Sequence, residues 1–157
     1  MSEIVGKEKV KEKGEMGAEG RCLLERGVPV ALINVDARKE KKGRPPIYEM
    51  HYYHTRKPLI TSRLAVAGTL LGANDAPAEE EAFYKFMGLD TTLAKRGYRK
   101  VPSEILRKIR ERYPEGVTVL DPFAGTGMIL FEALRLGCDV VGIDYNPVAC
   151  LIMRCTL

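Results

Sequence analysis

The chain has 157 residues, of which 45% are hydrophobic and 29% charged, with a net charge of +4. That is enough to bury a sizeable core in one compact domain and too little for a second complete one. The longest apolar stretches, around 64–71 and 117–120, fall far short of the ~20 residues of a membrane span, and the opening is charged rather than signal-like. A soluble, cytoplasmic protein with no membrane contact is therefore expected.

Four cysteines stand at 22, 138, 150 and 155 without a CxxC pair, and there are two histidines. Neither a zinc ribbon nor a disulfide framework is spelled out, so reduced, structural cysteines and no metal site are expected. The positive charge is local: residues 21–58 carry a net +5, whereas 1–20, 59–100 and 101–157 carry −1, +1 and −1. A local basic patch can steer a polyanion, or simply solvate a surface.

Residues 1–20 alternate charge with glycine and have too few apolar side chains to bury, which predicts a mobile tail. From Arg21 to Ile33, apolar residues broken by Gly27 and Pro29 suggest a short helical turn followed by an extended piece. A second short helix is expected from about Asp36 to Lys42, then a rigid connection through Pro45–Pro46. The apolar pattern of Leu59, Ile60, Leu64, Val66, Ala67, Leu70 and Leu71 predicts a helix over 58–71, with Thr55 as a possible cap. Pro77 is expected to open another helix, whose glutamates favour its amide end. Ser103 is placed to cap a further helix ending before Pro114. Residues 21–115 thus read as a mainly helical region.

After Gly116 the period changes. Val117 to Leu120 reads as a strand running into an acid and a glycine turn; 128–137 reads as a helix stopped at Gly137. A second strand ends in Asp144, and Pro147 starts a last helix. Strand, turn, helix, strand, acid and helix within 117–157 are the opening of an α/β, doubly wound, Rossmann-like parallel sheet. Residues 116–157 hold only two strands of it, an incomplete sheet, so a fragment or a chain that borrows strands is expected.

Asp121, Pro122, Phe123, Ala124, Gly125, Thr126 and Gly127 are the sharpest feature. Glycines at the carboxyl end of a parallel strand let a ligand approach the amides of the next helix. Leu130 stands where the dinucleotide fingerprint needs a third glycine, and no Gly-Lys-Ser/Thr follows. Asp121 would repel a pyrophosphate but accept hydrogen bonds from an ammonium. Asp144, 17 residues after Gly127, is placed to hold the two hydroxyls of an adenosine ribose. Tyr145 and Asn146 can cover the adenine or serve as turn residues. An adenosine, an ammonium and no phosphate describe S-adenosylmethionine.

The string from Asp121 to Gly127, followed by Gly142-Ile143-Asp144-Tyr145-Asn146-Pro147, resembles the cofactor-binding half of the DNA amino-methyltransferases, which methylate exocyclic nitrogens of adenine or cytosine. The Pro122–Phe123 pair is more specific to that group than the glycines. Residues 23–71 are similar to the amino-terminal region of a prokaryotic group of large adenine-specific DNA methylases. There an aromatic pair, an Arg-Arg/Lys-Pro-Leu stretch and a Ser/Ala-Arg precede the cofactor motif; here these are Tyr52–Tyr53, Arg56–Lys57–Pro58–Leu59 and Ser62–Arg63. The resemblance covers about residues 22–157.

It implies a class I methyltransferase sheet preceded by helices that pack beside the cofactor's methionine end. Thr55, Arg56 and Lys57 are then candidates for its carboxylate, the alternative being a patch that faces solvent or DNA phosphate. His51 and His54 have no partners that suggest a metal, and Tyr52 and Tyr53 are expected to pack on the sheet rather than stack on a base. The family's catalytic loop, Asp/Asn/Ser-Pro-Pro-Tyr/Phe, has no match, so no catalytic residue is assigned. The expectation is the cofactor-binding portion of a DNA N-methyltransferase, inactive alone, with DNA and either a second chain or a second copy as partners. The alternative is a non-catalytic nucleic-acid- or protein-binding module acting through the basic 38–63 region. Loss of nucleic-acid binding on reversing Lys39, Lys41, Lys42 and Arg44 would favour it.

Overall fold

A computed structural model describes residues 20–43, 47, 51–89 and 100–157. The charged tail expected over 1–20 lies, Gly20 apart, outside the described residues, as does the Pro45–Pro46 connection. Among the described residues the helices that come first are α1 (Leu23–Arg26), α2 (Val30–Gly43), α3 (Leu59–Leu70), α4 (Glu80–Met87) and α5 (Ser103–Arg112). Then follow β1 (Thr118–Asp121), α6 (Met128–Arg135), β2 (Asp139–Gly142) and α7 (Pro147–Thr156). The strands pair in parallel, with Thr118 opposite Asp139 and Asp121 opposite Gly142. The molecule is a mixed helical and parallel two-stranded structure, consistent with an incomplete α/β methyltransferase-like fold.

Helix α3 is the hub. Nine of its side chains are buried, from Leu59 to Leu70, so it is enclosed on nearly every side rather than amphipathic. Its start is held by a neighbour: the buried Glu40 carboxylate on α2 accepts the Leu59 and Ile60 N–H groups at 2.6 and 3.2 Å. Thr55 is thus not the cap, because an anion from another helix already meets the exposed amides. At the other end, Leu23 N–H donates to Leu71 O and Ala73 N–H to Arg21 O, both at 2.9 Å. Arg26 adds hydrogen bonds to the carbonyls of Ala73, Ala76 and Pro77.

Three local expectations are corrected. Helix α2 begins at Val30, not near Asp36, because Ile33, Asp36, Ala37 and Glu40 form one buried helical stripe. Helix α4 begins at Glu80 rather than at Pro77: the Glu79 side chain accepts from the Glu81 and Ala82 amides and sets the start there. Those two bonds also hold the Glu79 carboxyl below the usual range. Ser103 is the first residue of α5 and does not cap it; Pro102 precedes it with an extended backbone.

The main core joins Leu23, Ile33 and the α3 residues to Phe83, Met87, Ile105, Ile109, Ala133 and Leu136. Val119 and Val140 pack onto it from one face of the sheet. On the other face Leu120, Val141 and Ile143 stay 58%, 47% and 55% exposed.

Candidate functional site

Both strands deliver an acid to the same end of the sheet. Asp121 closes β1, and Asp144 follows β2 by two residues. Between β1 and α6 the chain turns through Gly125 (φ 55°) and Gly127 (φ 79°), left-handed conformations that an L side chain adopts only with strain. The turn is tied to β2: Ala124 N–H donates to Ile143 O and Ile143 N–H to Asp121 O, both at 2.9 Å. At Gly142 an added Cβ would collide with Leu130 and Met153 side chains, so glycine there lets α6 and α7 close on the sheet.

The Asp144 carboxylate organises the corner. One oxygen accepts the Gly125 N–H at 2.7 Å and the other the Asn146 N–H at 2.8 Å. These bonds, first Asn146 and then Gly125, with the positive charge of Lys57, hold its pKa below the usual carboxylate value. Each oxygen retains a second lone pair for a ligand hydroxyl. Asp121 is 9% exposed; one oxygen accepts from Phe123 N–H at 3.1 Å, and Oδ2 is buried without a hydrogen-bond partner among the described residues. A buried, unsatisfied carboxylate oxygen is costly and calls for a donor.

A cavity of about 250 Å³ opens over this corner. Phe123, Ala124, Gly125, Thr126 and Met128 line one side, Asp144 the end, and Tyr53, Thr55 and Lys57 the other. The last three are alternate residues of the loop before α3, which turns at His54–Thr55. The same alternation removes Arg56: its guanidinium turns away and donates to the carbonyls of Ile47 and His51. Asn146 caps α7, its side chain accepting from Val148 N–H at 2.9 Å. Tyr145 is fully exposed beside it, and Phe123 is 81% exposed. Pro122, exposed in the turn, and the buried Asp121 both lie outside the cavity lining.

Thus Thr55 and Lys57 meet the glycine turn and Asp144, while Arg56 supports the loop. Tyr53 and Met128 are cavity residues that motif reading missed. Period-two placement with Thr55 and Lys57 was the available signal for Tyr53, and its position directly after Gly127 the signal for Met128. Tyr52 is 77% exposed rather than packed on the sheet. Among the described residues no three His, Cys, Asp or Glu side chains gather as a metal site, and no helix is long and apolar enough to cross a membrane. A larger hollow of about 530 Å³ lies between α2 and α4, lined by Leu32, Val35, Tyr84 and Glu79–Glu81 among others, none of them at the strand ends.

Acids at the ends of two adjacent parallel strands, one beside a glycine turn, lie at the carboxyl edge of the sheet, the edge where open α/β sheets take their ligands. Comparison with known proteins agrees. Residues 97–154 match the family model described as DNA methylase, and residues 27–87 match one described as a protein of unknown function (DUF1156). A stretch of 57 residues is 30% identical to the Type II methyltransferase M.MjaII of Methanocaldococcus jannaschii, covering 36% of this chain and 11% of that protein. The chain therefore spans about a tenth of the length of that relative. No solved structure matches. These likenesses support a DNA methyltransferase.

Proposed function

We propose that these residues are the S-adenosylmethionine-binding portion of a DNA amino-methyltransferase acting on adenine or cytosine. In this reading residues 116–157 begin a Rossmann-like, class I methyltransferase sheet, and the helical region 21–115 packs on it. The observation that carries the reading is the pair of strand-end acids around the glycine turn, with Asp144 bonded to the Gly125 amide and lining the cavity.

The residues fit the cofactor part by part. Asp121 Oδ2 suits the ammonium of the methionine moiety. The free lone pairs of Asp144 suit the ribose hydroxyls, and Gly125 and Gly127 leave room beside the amides that open α6. Thr55 and Lys57 supply a hydroxyl and a cation for the carboxylate. Tyr145, exposed directly after Asp144, is the residue available to cover an adenine. Arg56 and Asn146 act one step back, the first by holding the Ile47 and His51 carbonyls and the second by starting α7. When bound, the cofactor supplies a sulfonium-activated methyl group for attack by an exocyclic base amine; the chain's own contribution is orientation and charge complementarity.

The sequence contains no Asp/Asn/Ser-Pro-Pro-Tyr/Phe string, and one face of the sheet is open. Methyl transfer therefore draws on strands and a loop that these residues do not supply, from a second chain or from a longer chain, and a homodimer would cover the open face.

Calorimetric titration with S-adenosylmethionine tests the cofactor assignment, with circular dichroism to verify the fold. Binding by the wild-type chain, weakened at least about tenfold in both Asp144→Ala and Lys57→Ala, is expected. No binding by a folded wild-type chain overturns the reading.

A further inference from the structure

The loop that closes the cavity has a second side. Tyr53, Thr55 and Lys57 face the glycine turn, and the alternation that places them there turns Tyr52 and His54 outward. Tyr52 is 77% exposed and His54 is exposed. Their rings meet edge to face, with centroids 5.6 Å apart and planes at 85°. His54 also lies 6.1 Å from the Tyr53 ring at a 36° tilt. Three rings thus run from the wall of the cavity to open solvent.

An aromatic ring this exposed forgoes the area it would bury in a core. The charge around it is one-signed: between Glu49 and Asp75 the sequence carries Arg56, Lys57 and Arg63 and no acid. Arg63 is buried and the Arg56 guanidinium donates to the Ile47 and His51 carbonyls, so the exposed cation of this segment is Lys57, at the rim of the cavity. An aromatic platform flanked by positive charge is what unpaired nucleic acid recognises, because every base has a stacking face and every nucleotide a phosphate.

We propose that Tyr52, propped by His54, is a stacking platform for a nucleobase of unpaired DNA at the rim of the cofactor cavity. This rests on the reading that the protein acts on DNA. It gives the segment matched as a protein of unknown function two faces, one lining the cofactor cavity and one contacting the nucleic acid. A base stacked on Tyr52 lies within three rings of the cavity, so the platform orders the strand next to the site where the methyl group is presented.

The test uses the 157-residue chain and a fluorescently labelled mixed-sequence oligonucleotide, single-stranded or annealed to its complement, followed by anisotropy at fixed salt. S-adenosylmethionine affinity is measured on the same samples. Preference for the single strand is expected. Tyr52→Ala weakens that binding about tenfold, Tyr52→Phe preserves it, and cofactor affinity is unchanged in both. The proposal is overturned if Tyr52→Ala binds the single strand like wild type, if the loss is equal on duplex, or if neither oligonucleotide binds. If no variant binds S-adenosylmethionine yet Tyr52→Ala still loses the single strand, the cofactor reading fails and the stacking platform stands.

Discussion

Asp144 carries the most consequence for its size, because its two oxygens hold both the glycine turn and the start of the α7 corner. Its pKa is depressed below the ordinary carboxylate value, by the Asn146 and Gly125 amides before the Lys57 charge. A group with a depressed folded pKa contributes above its unfolded pKa and loses that contribution as the pH falls through the folded one. Cofactor affinity is therefore expected to stay level on acidification from neutral pH towards 5 and to fall only below the ordinary carboxylate range, as titration calorimetry across pH would read. A decline centred between pH 5 and 7 would point to another group. Arg56 shows the opposite lesson: it is charged and adjacent to two cavity residues, yet its donors go to carbonyls. Residue type and neighbourhood in sequence nominated it, and the direction of one side chain removed it.

Among the elements, α3 shows how a helix can be ordered by its partner. The sequence offers a local candidate, Thr55, for the cap, and the fold uses Glu40 from α2, nineteen and twenty residues away from the amides it meets. Glu40→Ala is expected to lower stability by about 1–2 kcal/mol, because two helix-start amides lose their acceptor. Thr55→Ala should leave the denaturation midpoint in place, and equal effects of the two would refute the assignment. The apolar periodicity of α3 and the glycine, proline and asparagine punctuation of α6 and α7 were legible because they act locally. The earlier start of α2 was less so, since Val30, Leu32 and Val35 are exposed and the helix is specified by the buried stripe that includes Asp36 and Glu40.

At the scale of the molecule, a buried ion pair joins the two stretches that match different families, beside the more exposed pairing of Asp75 with Lys108 and Arg112. Arg63 on α3 donates from Nε to Glu132 on α6 at 2.8 Å, with both side chains at most 2% exposed. Arg63 Nη1 also reaches the carbonyls of Gly88 and Lys100, and Arg135 holds the other Glu132 oxygen at 2.6 Å. Charges this buried persist only when fully partnered, so removing one partner costs far more than the pair contributes. Glu132→Leu is expected to cost about 3–5 kcal/mol, read as a lower urea midpoint with an unchanged slope. Adding Arg63→Met should recover much of that loss; no recovery would mean that Arg63 is held mainly by its carbonyl partners. Since α6 begins at the glycine turn, the same pair sets how the helical region meets the corner that the turn and Asp144 form.

The sequence by itself determined the two parallel strands, the glycine turn, both strand-end acids and the central apolar helix. Each rests on a period, a punctuating residue or a motif within some ten residues of chain. Only the tertiary structure decided that Tyr53 joins Thr55 and Lys57 at the turn while Tyr52 faces solvent, that Glu40 caps α3, and that Arg63 is buried against Glu132. Those are choices between two sides of a loop or among distant partners. They are settled by which surfaces are already filled when the helices close on the sheet, and no local pattern encodes that outcome.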